Sequence, residues 1–238
     1  MVDPILSIEG LHKAFGGLQA VRDVSFSLQR GQVLGLIGPN GAGKTTIFNL
    51  INGIYRLDAG RVRLGPEDIT DLGPAVIARR GIARTFQVPR TFNGMTVAEN
   101  LLVPLIRLGV RGAESWRRTG ETLSRLSLSR LSDKPASELS GGQRKLLELG
   151  RALMTAPKVL ILDEPFSGAS ADVVELTLEL IKEHAAQGIG CLVISHDIVS
   201  MPRLCDEVIV LVSGSVLTRG LLDDVRRDPS VIDAYLGY

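Results

Sequence analysis

Three short stretches carry side chains suited to phosphate chemistry. GPNGAGKTT, residues 38–46, matches G-x-x-x-x-G-K-[ST] through Gly38, Gly43, Lys44 and Thr45. Glycine-rich backbone can curl its N–H groups around phosphate oxygens, and a helix opening there adds partial positive charge. In this pattern Lys44 meets the β- and γ-phosphates and the Thr45 hydroxyl ligates Mg²⁺. Pro39, Asn40, Gly41, Ala42 and Thr46 complete the cradle. The second stretch, VLILDEP, ends four aliphatic residues in Asp163 and Glu164. A carboxylate is costly to bury without a partner, so the run either leaves the core at Asp163 or meets a cation there. The third, CLVIS, is followed by His196.

These groups need elements that present them to one place. VLGLIG reads as a strand before the glycine loop, and Ile47, Leu50 and Ile51 give the helix after it an apolar face. VLIL and CLVIS are continuous aliphatic runs of strand length, as expected of strands covered on both faces. In an open α/β sheet, ligands bind beyond the carboxyl ends of the strands. Gly38, the Asp163–Glu164 pair and His196 all follow such ends, so the pattern predicts that they share one edge. Asp163 would then serve the Mg²⁺ held by Thr45, Glu164 would orient or polarise the attacking water, and His196 would hydrogen-bond the γ-phosphate.

The remaining sequence divides by pattern. Its N-terminal part alternates short strand-like runs, ILSIEGL, VSFSL, QVLGLIG and RVRLG, with turn signals. From about residue 97 to 154 leucines recur at helical spacing among Arg and Glu, with no strand pattern. After Pro157 the strand–helix alternation resumes through VLIL, a helix over about 172–186, CLVIS and VIVLV, and it closes in a helical tail. This predicts one α/β domain over residues 1–238. Its core would comprise 1–90 and 157–238, with a helical insert over about 91–156.

Composition excludes several classes. The 238 residues are 45% hydrophobic and 22% charged, with a formal net charge of +1, so nothing favours nucleic acid or an anionic lipid surface. Two cysteines are too few for a disulfide framework and suit a reducing compartment. No apolar run approaches the roughly 20 residues of a membrane helix. Work at a membrane would therefore require another chain.

ELSGGQRKLLELGRALM, residues 138–154, adds a second anion site. Ser140 and the paired glycines expose N–H groups where Leu146, Leu149 and Leu153 begin a helical face. The order of phosphate loop, LSGGQ, strand-DE and strand-SH resembles the ATP-binding subunits of ABC transporters over essentially the whole chain. The resemblance implies a P-loop NTPase (RecA-like) core with a mostly parallel sheet, an N-terminal antiparallel β subdomain and an inserted helical subdomain. It implies ATP and Mg²⁺, with two chains head to tail. Each ATP would lie between Lys44 and Thr45 of one chain and Ser140, Gly141, Gly142 and Gln143 of the other. It assigns Gln87 to the loop that reaches Mg²⁺ and senses membrane subunits, and Phe15 to stacking on adenine.

GIARTFQVPRTFNGMTVAENLLV and DPSVIDAYLG look like the branch of importer ATPases serving branched-chain amino acids, and related urea or amide carriers. Lipopolysaccharide-export ATPases resemble the chain in the same places. Two positions depart from the importer pattern: the signature is LSGGQ rather than a Tyr-Gly-Gln variant, and Ser170 stands where an acid or amide is usual. The implied partners are a second ATPase subunit, transmembrane permease subunits and, indirectly, a solute-binding protein, with no nucleic acid. The implied location is cytoplasmic, on the inner face of the membrane. A soluble ABC-type ATPase of translation or DNA repair would carry two such domains or long coiled coils. A non-hydrolysing regulatory subunit fits poorly with the full set Lys44, Asp163, Glu164 and His196.

Overall fold

The computed structural model describes residues 3–195 and 201–236. Its first strands, β1 (Leu6–Phe15) and β2 (Leu18–Leu28), form an antiparallel hairpin, and β3 (Val33–Ile37) then leads into the glycine loop and α1 (Lys44–Ile51). Next come β4 (Ala59–Leu64), β5 (Glu67–Asp68), α2 (Pro74–Arg80) and β6 (Ile82–Arg84). Between β6 and β7 the regular elements are helical: α3 (Val97–Arg107), α4 (Gly112–Arg125) and α5 (Gly141–Leu153), with short 3₁₀ turns. The chain continues through β7 (Val159–Asp163), α6 (Ala171–Ala186), β8 (Gly190–Ile194), β9 (Glu207–Val212), β10 (Ser215–Gly220), α7 (Leu222–Val225) and α8 (Pro229–Leu236).

Two sheets result. The smaller is antiparallel, in the order β2-β1-β4-β5. The larger runs β10-β9-β3-β8-β7-β6 and is parallel except for the β10–β9 pair. Its central strands are buried on both faces, which is why they read as unbroken aliphatic runs. Side-chain alternation then divides each run between two cores. Leu160 and Leu162 face one core with Leu147 of α5 and Ile181 of α6, whereas Val159 and Ile161 face another with Ile47 of α1 and Leu6 and Ile8 of β1.

One sequence expectation is corrected here. Following VIVLV, the stretch SVLTRG is strand β10 before any helix, paired antiparallel to β9. It is an edge strand with no fully buried residue, so its periodicity is weak, and β-pairing supplies what the local pattern does not. The helical tail, α7 and α8, follows only after it.

Helices α3 and α5 begin alike. Thr96 and Ser140 are N-caps, each accepting from the backbone three residues on, and Glu99 and Gln143 reciprocate to the cap N–H. Such a capping box satisfies two orphan donors and fixes where each helix starts.

Candidate functional site

The glycine loop joins β3 to α1, and two of its glycines are required by space as well as conformation. A Cβ on Gly38 would stand 2.2 Å from the Leu211 carbonyl oxygen of β9, and one on Gly43 would stand 2.5 Å from that of Ala20. Both have positive φ, +151° and +102°. Lys44 Nζ reaches back over the loop and donates to the Gly38 and Pro39 carbonyls at 2.6 and 2.9 Å. Burial holds its pKa below the ordinary lysine value, while the charges of Glu164 and Asp163 oppose that fall. The cation is therefore held partly desolvated, where its field is least screened.

The loop forms one wall of a cleft of about 940 Å³. The described lining contains Gly38 through Thr46, together with Gln87, Asp163, Glu164 and Phe15. Gly38 and the Asp163–Glu164 pair, predicted to share one edge, are brought together by the parallel sheet, whereas Phe15 comes from the end of β1 in the antiparallel sheet. His196 lies outside the described residues. Ser140, Gly141, Gly142 and Gln143 are at the exposed start of α5, and the described cleft lining contains none of them.

At the end of β7 the two acids differ sharply. Asp163 is half-buried, and its pKa is raised first by burial and then by the Glu164 charge, with Lys145 and Lys44 opposing. A carboxylate whose charged form is disfavoured in this way gains most from a cation placed against it. Glu164 is only 7% exposed and turns away in the left-handed region, φ +48°. Its N–H donates to the Ile194 carbonyl of β8, its carboxylate accepts from the Ser195 hydroxyl at 3.0 Å, and its own carbonyl accepts from Lys145 Nζ at 2.6 Å. A non-glycine residue at positive φ is strained by about 1 kcal/mol or more and persists where its surroundings hold it. Here the surroundings aim a carboxylate into the cleft.

The donor set suits a hard cation. Thr45 offers a hydroxyl, Asp163 a carboxylate and Gln87 an amide oxygen, and phosphate and water oxygens can complete an octahedron of the kind Mg²⁺ prefers. No cluster of three or more His, Cys, Asp or Glu suggests any other metal among the described residues. At the cleft mouth the Phe15 ring is 43% exposed, packed edge-on to Tyr55 at 5.2 Å with Lys13 Nζ 5.4 Å from its centroid. An exposed ring so braced offers a face to a planar base.

Three contributors escape sequence reasoning. Tyr235 of α8 lines the cleft beside Gly38. Asn100, fully buried on α3, accepts from the Phe92 N–H and donates to the Phe92 and Thr96 carbonyls. Glu148 of α5, 5% exposed, accepts from the Phe86 and Arg90 N–H groups on either side of Gln87. The last two had a faint signal: each is a polar residue in phase with its helix's apolar face.

Behind Gln87 lies a second concavity of about 410 Å³, between α2, α3 and α5. Arginines line it. The guanidinium groups of Arg84 and Arg90 sit 4.3 and 4.4 Å from the Phe86 ring centroid, and that of Arg151 sits 4.3 Å from the Phe92 centroid. Arg84 Nη1 and Arg151 Nε are buried without a hydrogen-bond partner. Burial holds both guanidinium pKa values down.

A phosphate cradle at a strand–helix turn, with two acids ending a parallel strand two places along the sheet, defines a P-loop nucleotide-hydrolysing fold. The chain belongs to the ABC transporter family, whose model matches residues 21–167. It is 38% identical to the probable branched-chain amino acid transport ATP-binding protein LivG of Archaeoglobus fulgidus, over 98% of this chain and 95% of that one. It is also 38% identical to the lipopolysaccharide export system ATP-binding protein LptB of Acidithiobacillus ferridurans, over 98% and 97%. Among solved structures, the ADP conformation of MJ1267, an ATP-binding cassette of an ABC transporter, superposes with a TM-score of 0.89 at 37% identity and full coverage of both chains. The chain is an ATPase of this family.

Proposed function

We propose that the chain powers import of branched-chain or other hydrophobic amino acids, as one of two ATPase subunits under a pair of membrane permeases. The observation that carries the ATPase mechanism is the convergence of Lys44, Thr45, Gln87, Asp163 and Glu164 on one cleft while LSGGQ caps a helix away from it. An anion site that does not face its own phosphate cradle is put to use if a second copy, turned head to tail, supplies the missing wall. ATP would then lie between the phosphate loop of one chain and Ser140, Gly141, Gly142 and Gln143 of the other, with Phe15 against adenine. The helical segment 91–156 would act as an arm carrying α5 toward or away from the opposite chain.

Within the closed site, Lys44 and the loop N–H groups hold the β- and γ-phosphates. Mg²⁺ on Thr45, Asp163 and Gln87 would neutralise charge on those phosphates. Glu164 orients a water so that its oxygen attacks the γ-phosphorus as the bond to the β-phosphate oxygen breaks, releasing ADP and phosphate. His196 completes the set as a donor to the γ-phosphate. Hydrolysis reopens the pair.

Among the described residues no helix is long and apolar enough to cross a membrane. Membrane work therefore falls to permease chains, with this subunit on the cytoplasmic face and a solute-binding protein beyond. The groove behind Gln87 suits a permease segment bearing a carboxylate or a helix C-terminus, since Arg84, Arg90, Arg107 and Arg151 line it. Amino-acid import is supported by full-length likeness to a branched-chain amino acid transport protein. Equal identity to a lipopolysaccharide export protein keeps export as the second reading. Purifying the intact complex and reconstituting it in vesicles separates them: ATP-dependent uptake of leucine with its binding protein supports import, and export companions without such uptake overturn it.

A further inference from the structure

Lys145, Glu148 and Arg151 recur at every third position of α5 and so share one helix face. Each is tied to backbone outside the helix. Lys145 Nζ donates to the Glu164 carbonyl at 2.6 Å. Glu148 accepts from the Phe86 N–H at 3.0 Å and the Arg90 N–H at 2.7 Å, one on each carboxylate oxygen. Arg151 donates to the Arg90 carbonyl. The span held between Phe86 and Arg90 contains Gln87. Glu148 and Arg151 also line the arginine groove, whereas Gln87 and Glu164 line the nucleotide cleft. One row of side chains thus bridges two cavities.

We propose that Lys145, Glu148 and Arg151 form a positioning row that makes the Gln87 segment and the Glu164 turn follow the helix headed by LSGGQ. The inference rests on the roles given above to Gln87 and Glu164. A helix that only supported the fold could satisfy itself with apolar contacts, as Leu146, Leu147 and Leu149 do. A doubly accepting carboxylate, by contrast, grips both ends of a short segment with charge-assisted bonds, and shifting the helix must shift that segment. Movement of a partner in the groove reaches Glu164 through the same three residues. They are positioning residues, since none touches ATP in this arrangement.

The test uses the full chain. Glu148→Gln keeps size and shape but turns one acceptor into a donor facing an N–H. Expected results are a melting temperature within a few degrees of the parent, Mg²⁺-free ATP affinity unchanged within about twofold, and kcat lowered about tenfold with little change in KM. Amide exchange at Phe86 and Arg90 should lose protection. In a Gln87→Ala background the same substitution should lower kcat no further, because both act on one segment. An equal fall in both backgrounds, or unchanged kcat with exchange protection lost, overturns the proposal. Arg151→Gln, which removes only the outer bond, is expected to repeat the pattern more weakly and covers the case in which Glu148→Gln fails to fold; unchanged kcat in that variant counts against the row. Gln87→Ala retaining full kcat would overturn the role given to Gln87, and the row would then be judged by exchange and kcat in Glu148→Gln alone.

Discussion

At the residue scale the two acids ending β7 are proposed for separate tasks because their environments differ. Glu164 is buried, strained and hydrogen-bonded into position, as a group that orients water must be. Glu164→Gln keeps that shape and removes the charge, so ATP binding should survive while kcat falls about a hundredfold or more. Phosphate release and light scattering in ATP check both, with a trapped dimer expected. Asp163 is a cost to the nucleotide-free fold, since burial raises its pKa. The sign follows from linkage: a folded pKa above the ordinary 3.8 makes the protein less stable as pH rises from that value through the folded pKa, and the loss is constant beyond it. Asp163→Asn should therefore melt higher than the parent at pH 7 without nucleotide, with the gain vanishing below about pH 4. The same variant should lose Mg²⁺-dependent hydrolysis. A lower melting point at neutral pH would contradict this account.

At the element scale, α3 and α5 provide a matched comparison. Both start in a capping box, one built on Thr96 and Glu99, the other on Ser140 and Gln143. Thr96→Ala and Ser140→Ala should each cost about 1 kcal/mol of stability by denaturant unfolding. Only Ser140→Ala should also reduce ATPase activity, because only that helix end is proposed to meet nucleotide. Equal activity in the two variants would make the LSGGQ serine a cap and nothing more. The starts of α1, α5 and α6, the doubly buried strands and the glycine loop were legible because each is written in local residue types and spacing. Strand β10 was not, since an edge strand of mixed polarity is defined by its partner. Glu148 and Asn100 were not, because their partners are backbone groups in another segment that side-chain periodicity cannot reveal.

At the scale of the whole molecule, the parallel sheet gathers phosphate loop and acids, while α3–α5 carry the LSGGQ helix start, the proposed second anion site, elsewhere. Two copies in the presence of ATP should therefore bury what one copy exposes. Lys44→Ala is expected to abolish both ATP affinity and ATP-dependent dimerisation, read by fluorescent-nucleotide titration and light scattering. Dimerisation at unchanged nucleotide concentration would show that pairing does not depend on the cleft.

The turn between β9 and β10 gives the chain a timetable. Gly214 N–H donates to the Ala42 carbonyl inside the phosphate loop, and its carbonyl accepts from the Arg22 N–H of β2. The Leu211 carbonyl is the atom that crowds Gly38. The glycine loop leaves the ribosome well before the β9–β10 backbone that braces it. A nascent chain stalled before Glu207 should consequently fail to hold ATP although its loop is intact, and it should gain that ability only once β10 has emerged. ATP capture thus reports that β9 and β10 have been made and paired.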